Sequence, residues 1–520
     1  MPVAPTYPGV YIDELPSAVR TIIGVATSVA AFVGPAARGP LDVATHITSW
    51  GDFERAYGGL STTSPMSYAV RQFYQNGGAE AEIVRVASGA TASEIDLKAG
   101  AITLAASSPG SWGDKLRARV DYDTADPGNT QLYNVTVRDP SSGAQERFLN
   151  VDATKDSTNS LERKLRDSTL VTVSKNDNSR PAESPEVLSG DPLGDSAKLG
   201  PADAGKKSYL EVTKKGKDGD PPDDDAYNGS VADKTGIYAL LRTDIFNLLV
   251  IPPNAFGDGG EVPGDVVTTA TELCVDRRAI FLRDSPPDWT TVQTAFDGVA
   301  GLADVSPNAA MFFPSITLRD AITDSDRAFG PAGSVAGVIA RTDGQRGVWK
   351  APAGLDATLA GVQGVGVPLT DLENGRLNPR GLNCIRMFPL AGTVVWGSRT
   401  LRGADTMADQ WKYLPVRRTA LFIEESLYRG TKWAVFEPND EPLWASLRLN
   451  VGAFMNSLFR QGAFMGSTPR EAYLVKCDRE NNPDNDVNRG IVNILVGFKP
   501  LQPAEFVIIH IQQLAGQLET

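Results

Sequence analysis

FNLLVI (246–251), AIFLR (279–283) and AAMFF (309–313) are three short apolar runs that share a spacing and a context. Between them lie Val262–Cys274 and Trp289–Leu302, both patterned as helices. Strands alternating with helical segments indicate parallel βαβ units, so this part of the chain predicts an α/β layer. The first run leaves through IPPNAFGDGG rather than through G-x-G-x-x-G. The dinucleotide fingerprint is therefore missing, and the fold alone is no argument for an enzyme.

On the N-terminal side, residues 27–90 repeat the theme as strand, helix, helix, strand. Ser28–Val33 is a short apolar run, Ser49 opens a helix through Phe53 and Tyr57 that Gly58-Gly59 closes, and Ser64-Pro65 opens another carrying Met66, Val70, Phe73 and Tyr74. Ser before a helix and Gly after it are start and stop signals. EIVRV (82–86) completes the unit as a strand. On the C-terminal side, Leu443, Trp444, Leu447, Val451, Phe454, Leu458 and Phe459 recur at helical spacing, and IVNILVGF (491–498) reads as a strand after the loop DRENNPDND (478–486).

Between 92 and 232 the composition shifts to Asp, Ser, Gly, Lys and Pro. KLRARVDY (115–122), LYNVTVRD (132–139) and ERFLNV (146–151), with the turn cluster DPSSG (139–143), suggest a β-rich insertion. The stretch 175–233, including PPDDD (221–225), is polar enough to predict solvated loops on an outward-facing domain.

Both ends are unusual. TYPGVYIDEL (6–15) is extended, because the surrounding prolines fix φ and disfavour helix in their predecessors. FVIIHI (506–511) is β-branched and apolar on both faces. A terminal strand of that kind must pair with something, since an unpaired apolar edge aggregates.

The 520 residues suit three or four domains, and 41% hydrophobic with 22% charged residues is ordinary globular usage. No apolar run approaches the roughly 20 residues of a membrane-spanning helix, and the N-terminus has neither a basic nor an apolar leader region, so synthesis in a cytosol and no direct membrane insertion are expected. A net charge of −13 disfavours nucleic acid as a partner. Cys274, Cys384 and Cys477 form no C-x-x-C pair and read as buried thiols. Only His46 and His510 are on hand as histidine bases.

The remaining candidates for chemistry have simpler readings. Glu437, Asp440 and Glu441 in FEPNDEPLW (436–444) suggest a calcium or catalytic cluster, but Asn439 or Asp440 as a helix cap with Pro442 in the first turn is simpler. Gly330, Gly333 and Gly337 lack the Gly-Lys-Ser/Thr of a phosphate loop and predict close helix packing. Glu424 and Glu425 with Arg417 and Arg418 predict a solvated or interfacial helix face. No G-x-S-x-G elbow occurs. No catalytic residue, metal or cofactor is expected.

Several segments together resemble the phage tail sheath family, which includes sheaths of contractile injection systems: YPGVYIDE (7–14), GVIARTDGQRGVWKAPA (337–353), VVWGSRTL (394–401), WKYLPVRR (411–418), LFIEES (421–426), FEPNDEPLW (436–444), EAYLVKCD (471–478) and PAEFVIIHI (503–511). The resemblance spans the first 90 or so residues and most of the chain from about 235. It implies a multidomain α/β (α+β) sheath core, with an N-terminal exchange arm (1–20), a first core part (21–91), a variable β-rich outer insertion (92–232), a βαβ sheath domain (233–345), an inner C-terminal domain (346–502) and a C-terminal exchange arm (503–520). It implies a non-enzymatic subunit that polymerises with itself in stacked hexameric rings around an inner tube protein, with baseplate and terminal cap proteins as further partners. Arm strands through Tyr7, Val10, Tyr11 and Ile12 and through Phe506, Val507, Ile508, Ile509 and Ile511 would be donated to neighbours. Arg417, Arg418, Arg448 and Arg460 are the candidates for facing the tube. Assembly in the bacterial cytoplasm is expected, ending in a cytoplasmic particle, a released particle or a virion tail. Two other classes stay open on the residues: a hydrolase or nucleotide-dependent enzyme on the α/β core, and a carbohydrate-binding or adhesin module in 92–232.

Overall fold

A computed structural model of the chain describes residues 20–98, 102–185, 208–256 and 260–510. Its centre is an eight-stranded sheet built from three distant parts of the sequence: β1 (Ala30–Gly34), β2 (Thr45–Ile47), β3 (Ala81–Arg85), β4 (Leu248–Val250), β5 (Ile280–Asp284), β6 (Ala309–Phe313), β7 (Asn383–Phe388) and β8 (Gly392–Val395). The order is β8-β7-β6-β5-β4-β1-β3-β2, with every inner pair parallel and only the edge strands β2 and β8 antiparallel.

Successive residues of a strand point to opposite faces, and both faces are covered. On one, Phe32, Ile83, Val250, Leu282 and Phe312 meet helices α1 (Trp50–Tyr57), α2 (Pro65–Gln75) and α5 (Ala332–Arg346). On the other, Val33, Leu249, Phe281 and Met311 meet α3 (Gly264–Asp276) and α4 (Val292–Ala300). The result is a three-layer α/β/α sandwich.

Local chemistry sets the elements. Ser49 and Ser64 accept the amides of Asp52 and Ser67 as helix caps, and Gly58 ends α1 at φ 88°. Helix α5 lies hard against α2 because it carries glycines there: a Cβ on Gly333 would sit 2.5 Å from the Ala69 carbonyl oxygen, and one on Gly337 would sit 2.7 Å from Asn76 Cβ. The expected close helix packing is what these glycines do. The three cysteines are buried, and burial pushes the Cys384 thiol up to about 12.

The insertion leaves the core after β3 and returns along its own path: Ser88, Thr91 and Glu94 bridge Asp220, Lys217 and Lys214. Beyond this stem, two three-stranded antiparallel sheets enclose a separate core that includes Leu104, Val120, Tyr133 and Val135. Arg85, 1% exposed, closes the junction by donating to the carbonyls of Gly39 and Pro109.

The C-terminal body contains α6 (Leu414–Gly430), α7 (Glu441–Arg460) and a two-stranded antiparallel sheet, Tyr473–Lys476 against Leu495–Phe498.

Three expectations need correcting. The main sheet takes in 383–388 and 392–395, beyond the 233–345 span expected for the βαβ part. Residues 208–233 are no string of loops: they form the return stem, and Tyr227 is fully buried against the α3 face of the sheet. Asp440 is the cap of α7 by position but makes no side-chain cap bond, while Asn439 accepts from Trp444 Nε1 and donates to the Ile491 carbonyl.

Candidate assembly surfaces

Residues 20–29 run along α6 into β1. The Arg20 amide donates to Asn450 Oδ1 (3.1 Å) and its guanidinium lies 4.6 Å from the Trp433 ring centroid, while Ile22 is buried against Gly430, Ile423 and Phe454. The start of the described chain is thus held by the C-terminal helices. Tyr7, Val10, Tyr11 and Ile12 lie outside the described residues.

At the other end, the chain leaves the two-stranded sheet at Phe498, crosses a groove of about 940 Å³ walled in part by Trp349, Trp396 and Tyr413, and reaches Glu505. There the carboxylate meets Arg399, whose side chain is 0% exposed: Nε donates to Oε1 at 2.7 Å and Nη2 to Oε2 at 2.6 Å. Tyr413 also donates to Oε2, at 3.1 Å. Burial by itself raises the Glu505 pKa, but these hydrogen bonds and the Arg399 charge outweigh it and hold the carboxyl below its ordinary value. Immediately beyond, Phe506, Val507, Ile508 and Ile509 are 73–82% exposed. The strand expected at 506–511 is not formed over 506–510, since among the described residues no other strand lies alongside; Ile511 is outside the described residues.

The two-stranded sheet packs one face on α7, with Tyr473, Val475, Val496 and Phe498 against the cluster of Val451, Phe454 and Leu458. Among the described residues its strands pair only with each other, and Leu474 and Leu495 are 54% and 52% exposed, so its outer edges are open to an added strand.

The four candidate tube-facing arginines separate. Arg418 is excluded as a surface cation: it is 3% exposed, paired with Asp343 at 2.5 Å, and donates to the Thr27 carbonyl. Arg417 is mostly covered, donating to Asn308 Oδ1 at 3.0 Å and meeting Glu424 at 3.4 Å. Arg448 pairs with Glu441 and the Cys477 carbonyl, whereas Arg460 is exposed. Glu425 likewise points inward, to Arg278 (3.0 Å) and Arg429 (2.6 Å), and ties α6 to the end of α3.

The open enzymatic reading would look first to a cavity of about 500 Å³ where β4, β5 and β6 end. Tyr68, Phe256, Trp289 and Phe329 wall it, and its acid is Asp284, which burial pushes up to about 7. That carboxylate accepts the Ala332 amide at the start of α5 (2.7 Å), a structural task, and no histidine lines the cavity. Among the described residues no cluster of His, Cys, Asp and Glu is placed to hold a metal ion, and no helix is long and apolar enough to cross a membrane.

The family model for the phage tail sheath C-terminal domain matches residues 406–513. Over those residues the chain is similar to a phage tail sheath protein. The tail sheath protein of Burkholderia phage BcepMu is 27% identical over 284 residues, 52% of this chain and 56% of that protein. That of Vibrio phage KVP40 is 26% identical over 192 residues, 37% of this chain and 27% of that one. The chain thus spans about half or less of the curated relatives it matches. Solved structures align end to end: the helical sheath of the anti-feeding prophage in its contracted state covers 98% of this chain and 100% of its own, at 21% identity and a TM-score of 0.57. A sheath tail protein from Listeria innocua covers 92% and 96%, at 13% identity and a TM-score of 0.60. The fold is therefore the mixed α/β sheath fold, and the matched family is structural rather than enzymatic.

In three dimensions the segments that carried the resemblance meet in pairs. Arg418 of WKYLPVRR meets Asp343 of GVIARTDGQRG, and Arg399 of VVWGSRTL meets Glu505 of PAEFVIIHI. The sequence showed each charge but not its partner.

Proposed function

We propose that the chain is the subunit of a contractile sheath, polymerising in stacked six-fold rings around an inner tube and contracting from a metastable extended lattice to drive the tube forward. The observation that carries this reading is the match, among the described residues, between an exposed apolar tail without a pairing strand and a two-stranded sheet with open edges, on the sheath fold. Strand addition from a neighbour would satisfy both. Burying Phe506, Val507, Ile508 and Ile509 contributes about 1.5–3 kcal/mol each, and each ladder hydrogen bond about 0.5–1.5 kcal/mol net, enough to hold neighbours through a large rearrangement.

Contacts that do not close on themselves generate helical polymers, and a baseplate would set the first ring. Contraction draws its free energy from added burial between subunits, held back by a kinetic barrier rather than released by nucleotide hydrolysis. Arg460 and Arg448 are the surface cations left to face the tube. Assembly takes place in the bacterial cytoplasm, and the finished assembly is a cytoplasmic particle, a released particle or a virion tail.

The test is deletion of 506–520 and, separately, of 1–19, with purified protein viewed in negative stain. Each deletion is expected to leave folded subunits that make no tubes. Normal tubes from either variant overturn the strand-donation reading.

A further inference from the structure

We infer that the Arg399–Glu505 pair is the fixed pivot of the C-terminal arm, so that the moving part begins at Phe506 and load on it enters the subunit through Arg399. The inference rests on the reading that the arm joins neighbouring subunits. It adds where the arm is anchored and to what.

Arg399 is built as an anchor. All three of its side-chain nitrogens are engaged: Nε and Nη2 with Glu505, and Nη1 with Asp405 Oδ1 (2.9 Å) and the carbonyls of Asn378 and Gly403 (3.0 Å each). Its backbone is tied as well. The amide donates to Asn383 Oδ1 at 2.7 Å, and Asn383 Nδ2 donates to the carbonyls of Arg399 (2.8 Å) and Met311 (3.1 Å). Asn383 opens β7 and Met311 lies in β6, so the line from Glu505 ends in the central sheet. Gly403 is needed for this geometry, since a Cβ there would come within 2.7 Å of Arg399 Cβ.

The position of the pair matters as much as its chemistry. The chain comes from the two-stranded sheet of the C-terminal body, yet Glu505 docks on the α/β core. The pair therefore straps the two bodies together and makes the arm leave from the α/β core. A planar guanidinium gripping both carboxylate oxygens fixes direction as well as distance, which a lysine ammonium cannot do. At the N-terminal end of the described chain the Arg20 guanidinium is instead exposed on Trp433.

Two kinds of variant test this in full-length protein whose 506–520 deletion has been shown to abolish tubes. In Glu505→Ala and Arg399→Lys the subunit is expected to fold as wild type by circular dichroism. The assembled fraction at fixed protein concentration should fall roughly tenfold or more, the scale on which losing one partner of a buried, hydrogen-bonded charge pair weakens an association. In the second kind, Gly-Gly is inserted either between Glu505 and Phe506 or between Gln502 and Pro503. Only the first lengthens the free arm, so it should change helical rise and twist in electron micrographs, while the second keeps the wild-type lattice. Wild-type assembly by Glu505→Ala, or equal effects of the two insertions, overturns the pivot. Tubes from the 506–520 deletion would instead overturn the arm reading beneath it.

Discussion

Replacing Arg418 by methionine should cost this protein about 3–5 kcal/mol, because it leaves the buried Asp343 carboxylate without its partner. The magnitude follows from the geometry. Nη1 and Nη2 reach the two Asp343 oxygens at 2.9 and 2.5 Å, the two side chains are 3% and 4% exposed, and Nη2 also donates to the Thr27 carbonyl at 2.9 Å. Asp343 sits on α5, Arg418 on α6 and Thr27 ahead of β1, so one guanidinium holds three parts of the chain. Removing both charges, in Arg418→Met with Asp343→Leu, should recover most of the loss and leave about 1 kcal/mol for the Thr27 carbonyl without its donor. Urea unfolding of the unassembled subunit, followed by tryptophan fluorescence, gives the overall cost. Hydrogen exchange along Ala332–Arg346 localises it. If the single variant stays within about 1 kcal/mol of wild type, or the double is no better than the single, the pair is not the buried joint described here.

Three further outcomes are expected. In α5, Gly337→Ala should destabilise by about 1–3 kcal/mol because its Cβ meets the α2 backbone, whereas Gly344→Ala, with nothing within 4 Å, should stabilise by about 0.5–1 kcal/mol; paired urea titrations check the opposite signs. Asp284, held up to about 7, keeps a proton that the unfolded chain releases near pH 4, so its contribution is fullest in acid and is lost as pH rises from about 4 to 7; Asp284→Asn should flatten that loss, read as the wild-type-minus-variant difference in unfolding free energy between pH 5 and 8. Burial pushes all three thiols above their ordinary pKa, so alkylation of native protein at pH 8 should be negligible and unfolding should expose Cys274, Cys384 and Cys477 together; rapid labelling of any one in the folded subunit would contradict its placement.

What could be read from the sequence was what is decided locally. The runs at 279–283 and 309–313 are strands because their neighbours in sequence are helices that cover them, and Ser49, Ser64 and Gly58 bound their helices through chemistry confined to one turn. The joining of β1 to β4, 218 positions on, was not legible, since backbone pairing carries no residue code. The antiparallel hairpin Ile316–Asp320 and Ser325–Phe329 escaped notice because its second strand, SDRAF, is mostly polar and exposed. Reading FVIIHI as a strand was reasonable chemistry applied to a lone chain, whose described residues offer it no ladder over 506–510. The anchor pair was hidden by the 106 positions between Arg399 and Glu505.

The stem at Ser88–Glu94 and Lys214–Asp220 has a consequence for engineering. Because the chain departs and returns at one spot, the outer module can be exchanged for a foreign domain with closely spaced termini while the path of the sandwich is undisturbed. The swap has one condition. Arg85 donates a hydrogen bond to the Pro109 carbonyl, which would leave with the module, so a transplant needs either a replacement acceptor at that spot or a shorter apolar residue in place of the arginine.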